Sequence, residues 1–76
     1  MGERLPRLTA TELLAALAAD GWKAARQRGS HLHLKHPVKP GRLTVPVHSG
    51  RIIKTKTLQT ILDVAELSAD DLRRLL

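Results

Sequence analysis

The sequence predicts an α+β fold in which two helices back a three-stranded antiparallel sheet, in the order α-β-β-β-α, with a short extra C-terminal helix. Three observations carry this. Thr9-Ala10-Thr11-Glu12 has the form of a reciprocal capping box in front of an apolar run. His31-Leu32-His33-Leu34-Lys35 alternates strictly, which is the period of a half-buried strand. Leu58, Ile61, Leu62 and Ala65 fall at i, i+3, i+4 and i+7, the spacing of an amphipathic helix.

Taken in order, Met1 to Leu8 is a lead-in whose Pro6 discourages an early helix. The first helix follows the capping box, with Leu13, Leu14, Leu17 and Ala18 as its apolar stripe, and closes at Asp20-Gly21. Trp22 to Gln27 reads as the first strand and Arg28-Gly29 as a tight turn. In the second strand Leu32 and Leu34 face the core, while His31, His33 and Lys35 face the other side. A loop over His36 to Gly41 leads to a third strand, Leu43 to His48. Leu43, Val45 and Val47 share one of its faces, and Thr44, Pro46 and His48 the other. Pro46 removes a ladder donor, which places this strand at an edge or a bulge. After Ser49-Gly50 the second helix begins near Lys54 to Thr57, with Thr55 or Thr57 as its cap. Ser68-Ala69-Asp70-Asp71 opens the short third helix, with Leu72, Leu75 and Leu76 as its apolar face. One face of the sheet is left open.

The chain has 76 residues, the size of one domain spanning 1–76. A domain this small buries only about 60% of its unfolded surface, so each large apolar residue matters. Trp22 is the one aromatic residue. Single-strand binders that stack bases need several aromatic platforms, so contacts with sugar, phosphate and helix shape are expected instead. Whether Trp22 is core or stacking surface is open at this level. There is no cysteine, which removes disulfides, thiolate metal sites and thiol nucleophiles. No apolar run has the length of a membrane span or a signal-peptide core, and neither helix pairs a basic face with a strongly apolar one. A soluble, cytoplasmic protein with no membrane partner is expected.

Charge is sorted along the chain. Between Gly21 and Leu62 there are nine Lys and Arg residues, all four histidines and no acidic residue. The flanks hold four basic and seven acidic residues, so the middle is +9 and the ends together −3. A one-sided positive field suits a polyanion such as nucleic acid. Histidines inside it add side chains able to exchange protons near neutral pH. These features point to an RNA-binding or RNA-cleaving module.

His31 is the sharpest candidate site residue. Gly29-Ser30 leads directly into it, so its imidazole stands where a turn meets the central strand, on the non-core face. Cleaving RNA without a metal needs a base for the 2′-OH proton and cations to steady the phosphate. His31 can serve as that base, with Arg28, Lys35 and Lys54 as cations. His33 and His48 lie on the same kind of face and are binding candidates. His36 begins a loop and reads as structural. The free N–H groups at the start of the second helix, with Lys54 and Lys56, suit an anion. A metal cluster of His31, His33, His36 and His48 is disfavoured. The region offers no carboxylate or thiolate ligand and its nine positive charges oppose a cation, so no cofactor is expected.

Gly21-Trp22, Arg26-Gln27-Arg28-Gly29-Ser30-His31, Thr44-Val45-Pro46-Val47-His48 and Lys54-x-x-Thr57-Leu58-x-x-Ile61-Leu62 resemble the HicA toxins of bacterial HicA–HicB toxin–antitoxin systems. The resemblance runs from about Thr9 to Leu67. It implies a small double-stranded-RNA-binding-like domain and a ribosome-independent mRNA interferase. The essential histidine of the Gly-Ser-His segment corresponds to His31. It also implies a HicB-type antitoxin as partner, covering the active face in a hetero-oligomer. The expected RNA-binding set is Arg28, Ser30, His33, Lys35, His48, Lys54 and Lys56. Two departures stand out: Lys56 where many relatives have Gly, and Leu32 and Leu34 where they often have an aromatic.

Two other readings compete with a ribonuclease. One is a module that recognises duplex RNA by shape and does no chemistry, consistent with the lack of an obvious second catalytic residue. The other is a basic face built chiefly for an acidic protein, which overlaps with the first because an antitoxin would present RNA-like charge. The general acid of a cleavage reaction is unassigned among His33, His48 and water.

Overall fold

The computed structural model describes residues 5–76. Its elements are α1 (Ala10–Ala19), β1 (Lys23–Arg28), β2 (His31–Lys35), β3 (Leu43–Pro46), α2 (Thr55–Ala65) and α3 (Ala69–Leu75). This is the predicted α-β-β-β-α order with a third helix, and the sheet is antiparallel in the order β1-β2-β3.

The α1 helix begins as its sequence dictates. The Thr9 N–H donates to Glu12 Oε1 at 2.9 Å and the Glu12 N–H donates to Thr9 Oγ1 at 3.3 Å, so two otherwise orphaned donors are satisfied reciprocally. Its far end closes in a Schellman motif. The Gly21 N–H reaches Ala18 O and the Trp22 N–H reaches Leu17 O, both at 3.0 Å, with Gly21 at φ +105°. The buried face is Ala10, Leu13, Ala16 and Leu17. Leu14 is only half-buried and Ala18 is exposed, contrary to the predicted stripe. At about 100° per residue the four buried positions centre on one direction, toward β3 and α3, and Ala18 lies well off it.

β1 starts and ends one residue later than predicted, because Trp22 is drawn inward as part of the α1 closure. Trp22 is 2% exposed, so it is a core residue rather than a stacking platform. The β1–β2 turn is therefore Gly29-Ser30. β3 stops at Pro46, two residues short of the expected His48. The Val47 N–H still reaches Ser30 O at 2.6 Å, after which the His48 carbonyl accepts the Arg51 N–H at 3.1 Å and the chain turns away. β3 is an edge strand, as Pro46 requires, while the bulge is on β1, between Ala24 and Arg26.

Neither Thr55 nor Thr57 caps α2. The N-cap is Lys54, without a side-chain bond. Upstream, Ile52 pairs with Thr9 and the Ile53 N–H donates to Leu8 O at 2.7 Å, so the chain is pinned just before Lys54 and Thr55 is already helical. α3 has its own capping box from Ser68 and Asp71. On its apolar face Leu72 is buried and Leu75 partly so, while Leu76 is exposed. One hydrophobic cluster joins the layers through Leu13, Leu17, Trp22, Leu34, Leu43, Val45, Leu58, Ile61, Leu62 and Leu72. β1 contributes nothing to it and is exposed at every position.

The β2–β3 loop ties the two layers together. The His36 Nδ1 accepts the Val38 and Lys39 N–H groups at 3.0 and 2.9 Å, which leaves its Nε2–H to donate to Asp20 O at 2.7 Å. The Lys39 ammonium donates to Asp20 Oδ2 at 2.6 Å and to Ala65 O at 2.8 Å. The His36 ring packs edge-on against Trp22, with centroids 5.1 Å apart. A Cβ at Gly21 would meet His36 Nε2 at 2.7 Å, and the ring is held by three hydrogen bonds and cannot yield cheaply.

Gly21→Ala is therefore expected to destabilise the fold by about 2 kcal/mol, combining positive-φ strain with displacement of His36. Gly29→Ala, where a Cβ meets nothing within 4 Å, should cost less. Urea titrations followed by the single tryptophan would read both, and equal losses would contradict this role for Gly21. At α3, the Ser68 backbone N–H and then its hydroxyl, with Arg74 nearby, hold the Asp71 carboxyl below its ordinary 3.8. A depressed folded value stabilises above the unfolded one and is lost as pH falls through it. The stability gap between the native protein and Asp71→Ala should thus be full at neutral pH and shrink below pH 3.8. A gap that does not change with pH in urea midpoints would refute it.

Candidate nucleic-acid interface

The alternation of β2 fixes which side chains meet on the open sheet face. Leu32 and Leu34 turn toward the helices, so His31, His33 and Lys35 turn away from them. Directly opposed residues of an antiparallel pair share a face. Arg28 therefore stands beside His31, Arg26 beside His33, and Lys23 beside Lys35. On the other side, Pro46 pairs with His31 and Thr44 with His33.

His31 is exposed, at the first position of β2, and its imidazole has no hydrogen-bond partner among the described residues. His33 is half-buried, and its Nδ1 lies 3.0 Å from Thr44 Oγ1. Whichever of the two carries the shared proton, Nε2 is left for a ligand. A hollow of about 370 Å³ opens on this face, lined by Ala25, Arg26, Arg28, His33, Lys35 and Arg42. It brings together three of the expected binding residues, Arg28, His33 and Lys35.

The other expected residues lie elsewhere. Ser30 is in the β1–β2 turn, where its carbonyl accepts the Val47 N–H. His48 is exposed, two residues beyond β3, in the turn that closes on Arg51. Lys54 caps α2 and lines a second hollow with Pro6, Arg7, Ile52, Ile53 and Thr55, which shares no residue with the first. Lys56 is exposed in the first turn of α2. His36 is committed to the β2–β3 loop. Among the described residues no three His, Asp or Glu side chains converge as a metal site, and no helix is long and apolar enough to cross a membrane.

Arg26 and Arg42 line the hollow without having been singled out from the sequence. Arg26 and Arg28 alternate, which was visible, but their pairing with β2 depends on the register of a bulged strand. Arg42 lies one residue before β3, where the sequence shows only a loop boundary.

A family model described as HicA toxin of bacterial toxin–antitoxin matches residues 10–67, from the first residue of α1 to just past α2. Comparison with curated proteins gives no match.

The Thr44 contact generates a spectroscopic prediction. Thr44→Val, which keeps the shape and removes the hydroxyl, should shift the ¹⁵N resonance of His33 Nδ1 as its hydrogen bond is lost. Unchanged shifts would show that Thr44 does not set the His33 ring.

Proposed function

The chain belongs to the HicA toxin family of bacterial toxin–antitoxin systems, and on that premise we propose that this toxin is a metal-independent mRNA endoribonuclease with His31 as its general base. The observation that supports the reading is an exposed histidine on the open, basic sheet face, directly across from Arg28. His31 takes the proton of a 2′-OH, O2′ attacks the adjacent phosphorus, and the bond from phosphorus to O5′ breaks. The products are a 2′,3′-cyclic phosphate and a 5′-OH, with a proton returned to O5′ by His33, His48 or water. Arg28 steadies the charge of the scissile phosphate, and Ser30, His33, Lys35, His48, Lys54 and Lys56 complete the RNA contacts. No water has to be activated, so the reaction needs no metal.

A HicB-type antitoxin is the proposed partner, forming a hetero-oligomer in the cytoplasm by laying an acidic surface over the same face. Whole-chain folding as one domain, residues 1–76, belongs to this proposal. A second reading, binding of duplex RNA without chemistry, draws on the absence, among the described residues, of any hydrogen-bond partner that would orient His31.

The test is RNA cleavage by the purified protein and by His31→Ala, both in EDTA, with product ends identified. The proposal expects cleavage by the native protein alone, leaving cyclic phosphates, and at least a 10³-fold loss in the variant. A strict requirement for added magnesium would sink the mechanism. RNA binding with no cleavage by either protein would select the binding-only reading.

A further inference from the structure

The basic residues of the open face are arranged as rungs. Arg28 opposes His31, Arg26 opposes His33, and Lys23 opposes Lys35. Pairing of Leu43 with Leu34 carries Arg42 alongside Lys35, widening the third rung. The β1 bulge completes the set. Without its extra residue, Ala24 would face Lys35, and the slip brings Lys23 there instead. Lys23 and Lys35 are like charges directly opposed, which destabilises a sheet, yet no acidic residue interrupts the series. Among the described residues the ion pairs are Lys39–Asp20, Arg73–Asp70 and Arg74–Asp71, and none involves a rung. A row of cations with no ion-pair partner among the described residues, on a half-open sheet, is stabilised by an anion supplied from outside.

We propose that this ladder is a track for one RNA strand lying along β2. The scissile phosphate sits at the Arg28–His31 rung, and the next two phosphates on one side of the cut sit at the Arg26–His33 and Lys35–Arg42 rungs. The inference rests on the preceding reading that the ligand is RNA cut at His31. Rungs are two residues apart along β2, about 6.6 Å, which neighbouring phosphates of a single extended strand can match. The face carries no aromatic residue, so its grip is on phosphates rather than bases. The hollow between the second and third rungs leaves room for a phosphate, with Ala25 as a small wall. Arg26 and Arg42 are positioning residues: they fix where the strand lies and so which phosphate meets His31.

The test uses 2′-O-methyl RNA oligomers, which lack the attacking hydroxyl, with one to five phosphates. Affinity is measured as a function of salt for the native protein, for Arg26→Ala/Arg42→Ala, and for Arg26→Lys/Arg42→Lys. Native affinity should rise with each of the first three phosphates. The alanine variant should gain less from the second and third phosphates, with the slope of log K against log salt shallower by about 0.7 per lost contact. The lysine variant should recover the slope. On cleavable RNA the alanine loss should appear in KM. An unchanged slope and length profile in the alanine variant would overturn the track, as would preference for duplex over single strand of equal length. Because binding is read on uncuttable RNA, failure of cleavage leaves this result standing. Cleavage with no length dependence would refute the track alone.

Discussion

The structure depends on one knot of polar contacts between the β2–β3 loop and the ends of two helices. Asp20 ends α1 and Ala65 ends α2, and both carbonyls need partners that the helices cannot supply. His36 meets the first and Lys39 the second, while the same Lys39 pairs with the Asp20 carboxylate. Gly21 has no side chain because His36 occupies that space, and Trp22 enters the core where it can back the imidazole. The loop is thus fixed to the helical layer at the point where β2 ends. Since a strand's faces alternate, fixing the exit of β2 fixes the outward direction of His31, His33 and Lys35.

The same geometry explains where charge resides. The helices pack against β3 and reach Leu34 of β2, but they leave β1 uncovered. A strand with no burial to satisfy is free to carry Lys23, Arg26 and Arg28. Every acidic residue among those described lies on the helices or their caps: Glu12, Asp20, Asp63, Glu66, Asp70 and Asp71. The molecule is therefore polarised, with a basic sheet face and a helical layer that carries all this negative charge. An approaching polyanion is turned toward the sheet before any contact forms, and salt weakens that steering.

Much of this was legible in the sequence where a local signal coincides with its tertiary role. The Thr9–Glu12 box, the β2 alternation and the α2 pattern each name their own element, and tertiary packing agrees with them. What escaped was relational. The α1 stripe rotated because its direction is set by β3 and α3 together. The α2 cap went to Lys54 because a bridge to Thr9 set the start of the helix. Arg26 and Arg42 needed the register of a bulged edge strand, which no single-strand pattern carries. The fate of Trp22 required the Schellman closure that only Gly21 and Leu17 together define.

Sorting the family-like motifs by what each residue does in the fold separates structure from chemistry. Gly21 and Trp22 close α1, and the Gln27 amide holds Gly29 O at 3.1 Å. Thr44 contacts His33, while Val45, Leu58, Ile61 and Leu62 are core. Each of these is accounted for by folding alone. Arg26, Arg28 and His31 are not: they are exposed and make no ion pair among the described residues. They nevertheless occupy adjacent rungs of one sheet face. Three exposed residues of one face thus have no role that packing accounts for, and His31 stands at the end of their row with no hydrogen-bond partner among the described residues.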